Sequence, residues 1–325
     1  MAATLRLEPA RRHNDRMTRI PPTSPDTAEA LQTLLTPTFI RQMEKLDIAS
    51  RKLFAGTLQG ERRSKQRGQS VEFADYRNYV AGDDLRFIDW NLYARLDKLF
   101  LRLFMEEQDL ALCLLLDVSA SMDWGDPNKL LYAKRLAAAL AYIGLVRFNR
   151  VHLYAVSNGV VEQMPGLRGR RPIPKMLEFL ARQQPAGAGS VPEACRRFAL
   201  GQGHKGVVVL LSDMLEKGDF AGGLRYLAGD RFDGYAVQIL APQELDAEKA
   251  ELRGDLALRD VEDGFEAEVS ISPLLLQRYR DAVNGWCDHV RQECSKRQIA
   301  WMLARTDTPV ETLVLDSFRR IGLLK

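Results

Sequence analysis

Short, uninterrupted apolar runs recur in the second half of the chain, and they constrain the fold more than any other sequence feature. The runs are LALCLLLDV (110–118), GVVVLLSDM (206–214) and GYAVQILAP (234–242), with helical patterns such as PNKLLYAKRLAAALAYIGLVRF (127–148) between them. Apolar strands that alternate with helices predict a parallel sheet covered by helices on both faces. We therefore predict an α/β fold with a doubly wound, mostly parallel sheet over residues 108–325.

The N-terminal third divides into a predicted flexible tail and a helical and aromatic region. Residues 1–28 mix Arg, Pro, Thr and Asp without a period, which is typical of a segment that buries little apolar surface. The run FIRQMEKLDIASRKLF (39–54) has apolar residues at near-helical spacing and predicts one amphipathic helix. We expect this helix and the charged, aromatic segment that follows, within residues 29–107, to pack on the α/β domain.

Composition excludes several classes of protein. A formal net charge of +3 is too small for the whole molecule to match nucleic acid or acidic lipid. The apolar runs are shorter than the roughly 18 residues that a membrane span needs, and no signal peptide is recognisable. The four cysteines and four histidines never cluster at zinc-ligand spacing. Because the cysteines form no Cys-x-x-Cys pair, we predict a cytoplasmic location.

Oxygen-bearing side chains follow the predicted strands where each strand ends. Asp117, Ser119 and Ser121 come after the first apolar run, Asp213 after the second, and Ser190 after the glycine-rich turn PAGAG. The carboxyl ends of parallel strands meet at one edge of a sheet, where ligands bind. Carboxylate and hydroxyl oxygens are ligands that hard divalent cations select. These five residues therefore predict a divalent-cation site, for Mg²⁺ or alternatively Mn²⁺ or Ca²⁺.

The D-V-S-A-S run resembles the metal-ion-dependent adhesion site of von Willebrand factor A domains. In that family the pattern is Asp-x-Ser-x-Ser, a threonine on a second loop and an aspartate on a third loop. The resemblance implies that Asp213 is the third-loop aspartate, and that Ser190 stands where the family usually has threonine. It also implies that a carboxylate from a partner fills the open coordination position, so the site is a docking point and not a catalytic centre.

The segment EFADYRNYVAGDDLRFIDWNLYAR (72–95) is dense in aromatic residues and alternating charge. It predicts either an internally paired ion network or a partner-binding surface, with Arg86, Asp89 and Trp90 as the candidate contacts. The segment also resembles the signature of the bacterial family called domain of unknown function 58 (DUF58). The residues that carry the resemblance are Glu72, Phe73, Arg77, Tyr79, Gly82, Asp83, Asp84, Arg86, Ile88, Asp89, Trp90, Ala94 and Arg95. This resemblance implies a MoxR-type AAA+ ATPase as partner.

The predicted function is thus a non-catalytic, metal-dependent protein-binding adaptor that works with such an ATPase in protein maturation or complex assembly. One alternative is nucleic-acid binding by the Gly/Arg loop 60–68, where Arg62 and Arg63 could contact phosphates. A less favoured alternative is a serine hydrolase, because Ser119 and Ser121 are not within a G-x-S-x-G motif. Nucleotide hydrolysis is not predicted, since the G-x-x-x-x-G-K-[ST] motif does not occur.

Overall fold

The computed structural model describes residues 5–7, 34–50, 73–80, 83, 85–104, 110–201, 205–215, 218–229, 231–246, 255–260 and 266–325. The chain divides into two compact units, of which one comprises residues 1–58 and 110–325 and the other residues 59–109. None of the helices in the described ranges is long and apolar enough to span a membrane. The candidate cation ligands all belong to the larger unit.

The strands and helices are numbered in chain order. The strands are β1 (Leu5–Leu7), β2 (Phe73–Asn78), β3 (Phe100–Phe104), β4 (Ala111–Asp117), β5 (Arg150–Ser157), β6 (Gly159–Leu167), β7 (Gly206–Ser212), β8 (Phe232–Leu240), β9 (Asp255–Asp260), β10 (Glu266–Ser270) and β11 (Ala300–Arg305). The helices are α1 (Pro37–Met43), α2 (Trp90–Leu96), α3 (Lys129–Val146), α4 (Ile173–Arg182), α5 (Val191–Gly201), α6 (Phe220–Leu224), α7 (Pro242–Leu245), α8 (Pro273–Lys296), α9 (Val310–Thr312) and α10 (Phe318–Arg320).

A six-stranded sheet with the order β11-β8-β7-β4-β5-β6 forms the centre of the larger unit. Neighbouring strands in this sheet are parallel, except that β6 is antiparallel to β5. The predicted α/β class with a mostly parallel sheet is therefore confirmed. From β4 the chain passes to β5 on one side and later to β7 on the other. The strand order thus reverses between β4 and β7, which is where open α/β sheets form their binding crevice.

The central strands are apolar along their length because both faces of the sheet are covered. On β4, Leu114 belongs to a core cluster that includes Leu136 of α3. The next residue, Leu115, belongs to a second cluster that includes Phe198 of α5. Successive side chains of a strand point to opposite faces, so an uninterrupted apolar run is what two covered faces require.

The predicted helix over residues 39–54 is shorter in the structure. Helix α1 ends at Met43, and the chain then runs antiparallel to the C-terminal residues. The amide of Ala49 donates to the carbonyl of Leu323 at 2.8 Å, and this pairing buries Leu46 and Ile48 in the core. Tertiary pairing with the chain end thus replaces the last helical turns that the spacing predicted. Residues 51–54 lie outside the described ranges.

Two strands of the structure, β6 and β1, were not predicted from the sequence. β6 extends the sheet as an antiparallel edge beside β5. The alternating run ELRGDLALRDVEDGFEAEVSI (251–271), whose pattern predicts a hairpin, contains the antiparallel strands β9 and β10. Within the predicted N-terminal tail, β1 pairs antiparallel with β9 and completes a separate three-stranded sheet.

Candidate functional site

The polar residues predicted as cation ligands lie mainly at the carboxyl ends of β4 and β7. Asp117 is the last residue of β4, and Ser212 is the last residue of β7, followed by Asp213. The two strands are neighbours in parallel register, with Leu116 opposite Leu211. Strand pairing therefore brings residues almost a hundred positions apart to one edge of the sheet, at the reversal of strand order.

Backbone and hydroxyl donors fix the Asp117 carboxylate. Its Oδ1 accepts from the amide of Ser119 at 2.8 Å, and its Oδ2 accepts from the hydroxyl of Ser212 at 2.6 Å. After Ser119 the chain makes one 3₁₀ turn, and the hydroxyl oxygens of Ser119 and Ser121 come within 3.0 Å of each other. All of these side chains are buried. The Asp-x-Ser-x-Ser run therefore forms a fixed loop with one carboxylate and a facing pair of hydroxyls.

This donor set is suited to a small hard cation. Neighbouring ligands of an octahedral Mg²⁺, each about 2.0–2.1 Å from the metal, are about 2.9 Å apart. The 3.0 Å separation of the Ser119 and Ser121 oxygens matches that spacing. In the described part of the chain, no group of three or more His, Cys, Asp or Glu side chains could hold a metal. A cation at this edge would therefore depend on the serine hydroxyls as well as on carboxylates.

The loop that carries Ser190 is bonded to the loop after β4. The amide of Ala186 donates to the carbonyl of Val118 at 2.7 Å, and the amide of Ala120 donates to the carbonyl of Gly187 at 2.8 Å. The Ser190 hydroxyl accepts a long bond of 3.5 Å from the amide of Glu193, in the first turn of α5. The structure thus places Ser190 on the neighbouring loop, where its hydroxyl caps a helix.

Two charged residues that the sequence reasoning missed complete the site. The ammonium of Lys129 donates to Asp213 Oδ2 at 2.7 Å and to Glu244 Oε1 at 2.6 Å. The other oxygen of each carboxylate accepts from a backbone amide, of Leu215 for Asp213 and of Ala241 for Glu244. Lys129 is 0% exposed and both carboxylates are buried. We call Lys129, Asp213 and Glu244 the buried triad.

Signals for both missed residues were present in the sequence. Lys129 is the first residue of α3, after the capping Asn128. A cation is disfavoured at that end of a helix by the helix dipole, so a lysine there among apolar neighbours indicates a carboxylate partner. Glu244 follows the end of β8, the strand beside β7, and so lies at the same sheet edge as Asp117 and Asp213. The strand-end argument that selected those two aspartates could also have selected Glu244.

Burial dominates the electrostatics of the site. Burial, and secondly the charge of Asp213, raise the pKa of Asp117 to about 6, although hydrogen bonds from Ser212 and Ser119 oppose the rise. Burial also raises the pKa of Glu244, against the lowering effect of Lys129. For Lys129, burial alone would lower the pKa, but the carboxylates of Asp213 and Glu244 outweigh it and the pKa is raised. The ammonium of Lys129 is therefore held charged.

The raised pKa of Asp117 predicts a pH-dependent contribution to stability. Because the pKa is higher in the folded chain than its ordinary 3.8, this group stabilises the fold below about pH 4 and the contribution is lost as pH rises through about 6. In chelator, the unfolding free energy of the wild type minus that of Asp117→Asn should fall by about 1 kcal/mol between about pH 5 and about pH 7.5. Urea titrations at both pH values measure it. A constant or rising difference contradicts the raised pKa.

The predicted partner contacts in residues 59–109 have different surroundings. Asp89 is buried and caps α2 by accepting from the amides of Asn91 and Leu92 at 3.0 and 3.1 Å, and its Oδ2 accepts from the hydroxyl of Tyr76 at 3.0 Å. Arg86 is exposed, and Trp90 is 60% exposed. These contacts give Asp89 a structural role and leave the Trp90 ring on the surface. Arg62, Arg63 and the loop 60–68 lie outside the described residues.

Comparisons with solved structures return proteins of low sequence identity. One is the conserved hypothetical protein BatB from Bacteroides thetaiotaomicron, with 13% identity and a TM-score of 0.43 over 65% of this chain and 98% of that chain. Another is a von Willebrand factor type A structure from Catenulispora acidiphila, with 15% identity and a TM-score of 0.36 over 69% of this chain and 43% of that chain.

Sequence comparisons return mycobacterial relatives and one protein family. "Uncharacterized protein Rv1480" of Mycobacterium tuberculosis and "Uncharacterized protein Mb1516" of Mycobacterium bovis are each 29% identical over 244 residues, 74% of this chain and 76% of theirs. The model of the family described as "Protein of unknown function DUF58" matches residues 75–285, well over half of the 325 residues. The protein is therefore a member of the DUF58 family.

Proposed function

We propose that the protein is a non-catalytic adaptor that binds a partner protein through a divalent cation at the ends of β4 and β7. The cation that we propose is Mg²⁺. The observation that carries the proposal is the hydroxyl pair of Ser119 and Ser121, 3.0 Å apart beside the fixed carboxylate of Asp117. When bound, the cation would offer a coordination position to a carboxylate of the partner. Ser119, Ser121 and Asp117 would hold it, with Ser190 and Asp213 on the adjoining loops.

A docking role suits this site better than a catalytic one. Both oxygens of Asp117 accept hydrogen bonds from groups of the fold, and the Ser119 and Ser121 hydroxyls bond to each other. Neither serine lies within a G-x-S-x-G elbow, and a carboxylate oxygen that accepts one hydrogen bond keeps a second lone pair for a cation. Rigid donors around a cation instead favour binding, because little ordering entropy remains to be lost when a partner arrives.

The partner that we propose is a MoxR-type AAA+ ATPase or its client, in protein maturation or complex assembly. Membership of the DUF58 family and the signature between residues 72 and 95 support this choice. We place the interaction in the cytoplasm, which agrees with four buried cysteines that form no disulfide with one another. A partner acid would complete the coordination of the cation, so cation and partner should bind cooperatively.

Capture of a MoxR-type ATPase in Mg²⁺ and in chelator tests this function. Replacing both hydroxyls, as Ser119→Ala/Ser121→Ala, should weaken capture by about tenfold or more in Mg²⁺, and chelator should do the same to the wild type. The matched control is Ser295→Ala, which removes an exposed hydroxyl on α8 and should bind as the wild type does. Circular dichroism confirms that each variant is folded.

The two parts of this proposal fail separately. Capture that is equal in Mg²⁺ and in chelator contradicts the cation, whereas absence of capture under every condition contradicts the choice of partner. Binding of Mn²⁺ to the isolated chain, followed by calorimetry, tests the cation without any partner.

A further inference from the structure

The buried triad places a positive charge inside the proposed cation site. Lys129 is fully buried, and its ammonium lies 2.7 Å from Asp213 Oδ2 and 2.6 Å from Glu244 Oε1. A buried ammonium at the start of a helix is unfavourable both because it leaves water and because the helix dipole repels it. The two carboxylates offset this cost. Lys129 therefore belongs to the interior of this sheet edge and is not a surface residue.

This lysine changes the charge that a divalent cation would meet. Asp117, Asp213 and Glu244 supply three negative charges, and Lys129 cancels one of them. Of the two aspartates that the metal site would use, Asp213 has one oxygen bonded to the ammonium and the other to the amide of Leu215. Asp117 instead accepts from the Ser119 amide and the Ser212 hydroxyl, which are uncharged donors.

We propose that Lys129 acts as a resident cation that neutralises Asp213 and weakens the hold of the site on a divalent metal ion. This inference rests on the proposed function and names how the same site is regulated. The chain alone then holds the metal weakly, and a carboxylate from the partner supplies the negative charge that Lys129 has cancelled. Lys129 is a positioning residue in this scheme, because it acts on the metal through Asp213.

Removing the ammonium should therefore strengthen metal binding. Lys129→Met/Glu244→Gln removes one positive and one negative charge together, so the net charge of the site is unchanged and Asp213 loses the ammonium bonded to its Oδ2. Two like charges within a few ångströms oppose each other strongly at a protein site, so we expect Mn²⁺ to bind the full-length variant about tenfold tighter, or more, than the wild type. Isothermal titration calorimetry with Mn²⁺ alone measures the affinity.

Two further variants separate the lysine from other effects. Glu244→Gln keeps the ammonium and leaves it with Asp213 as its carboxylate partner in the triad, so Mn²⁺ should bind less tightly than to the wild type. Arg135→Gln is the matched control, because it removes a partly exposed positive charge from the same helix, α3. Its Mn²⁺ affinity should stay within about twofold of the wild type. The double variant and Glu244→Gln should change the Mn²⁺ affinity in opposite directions. Each change is a test by itself, so one poorly folded variant does not prevent the test.

The outcomes distinguish this inference from the proposed function. Tight Mn²⁺ binding by the double variant and weak binding by the isolated wild type supports the role of Lys129, whereas capture of the partner by the wild type that is equal in Mg²⁺ and in chelator contradicts metal-dependent docking. Equal affinity of the wild type and the double variant overturns the role of Lys129 and leaves the metal site standing. Absence of Mn²⁺ binding in every variant overturns both.

Discussion

Lys129→Met should lower the free energy of unfolding by about 3 to 5 kcal/mol. The substitution keeps an unbranched side chain, one atom shorter, but removes the ammonium that lies 2.7 Å from Asp213 and 2.6 Å from Glu244. Two carboxylates would then be buried beside each other without their cation, and leaving a buried charge unpaired costs far more than an exposed ion pair contributes. Urea unfolding at neutral pH in chelator, followed by circular dichroism, measures the loss.

Two variants show whether the loss comes from the unpaired charges. Lys129→Met/Glu244→Gln removes one of the carboxylates with the lysine and should recover part of the stability. Arg135→Gln breaks the partly exposed pair with Glu311, at 3.3 Å on the same helix, and should cost less than about 1 kcal/mol. A loss for Lys129→Met as small as that for Arg135→Gln would contradict the structural importance of the buried triad.

Gly206→Ala should cost about 3 kcal/mol of unfolding free energy, because it prevents the close approach of β4 and β7. A Cβ on Gly206 would overlap the carbonyl oxygen of Ala111, its partner residue on β4. That atom belongs to the backbone of a central strand, so it cannot rotate away as a side chain could. The strands must separate locally, and urea unfolding measures the cost.

Gly201→Ala is the matched control for this substitution. A Cβ on Gly201, the last residue of α5, meets no atom within 4 Å. Alanine there should leave stability unchanged or raise it by up to about 1 kcal/mol, because alanine is the better helix former. Equal stability of the two variants would show that β4 and β7 do not approach each other as closely at Gly206 as the structure has them.

Much of the fold followed from local patterns. Apolar runs such as 110–118 and 206–214 predicted buried strands, and their alternation with helices predicted the parallel sheet, which the structure confirms. Strand β6 was missed, because its residues alternate in burial and include Pro165 and two glycines, as suits an edge strand. The early end of α1 was missed as well, since the chain end that pairs with residues 47–49 lies far away in sequence.

The candidate site, like the fold, could be predicted from the sequence only in part. The sequence by itself determined that Asp117, Ser119, Ser121 and Asp213 lie at one edge of the sheet, because residues after parallel strands must emerge at the same end. Only the tertiary structure decided how those charges are balanced. Lys129, Asp213 and Glu244 come from three separate elements, and no periodicity links a helix start to two distant strand ends. Their pairing follows from burial: once packing encloses the three groups, each charge must find its partner inside the protein.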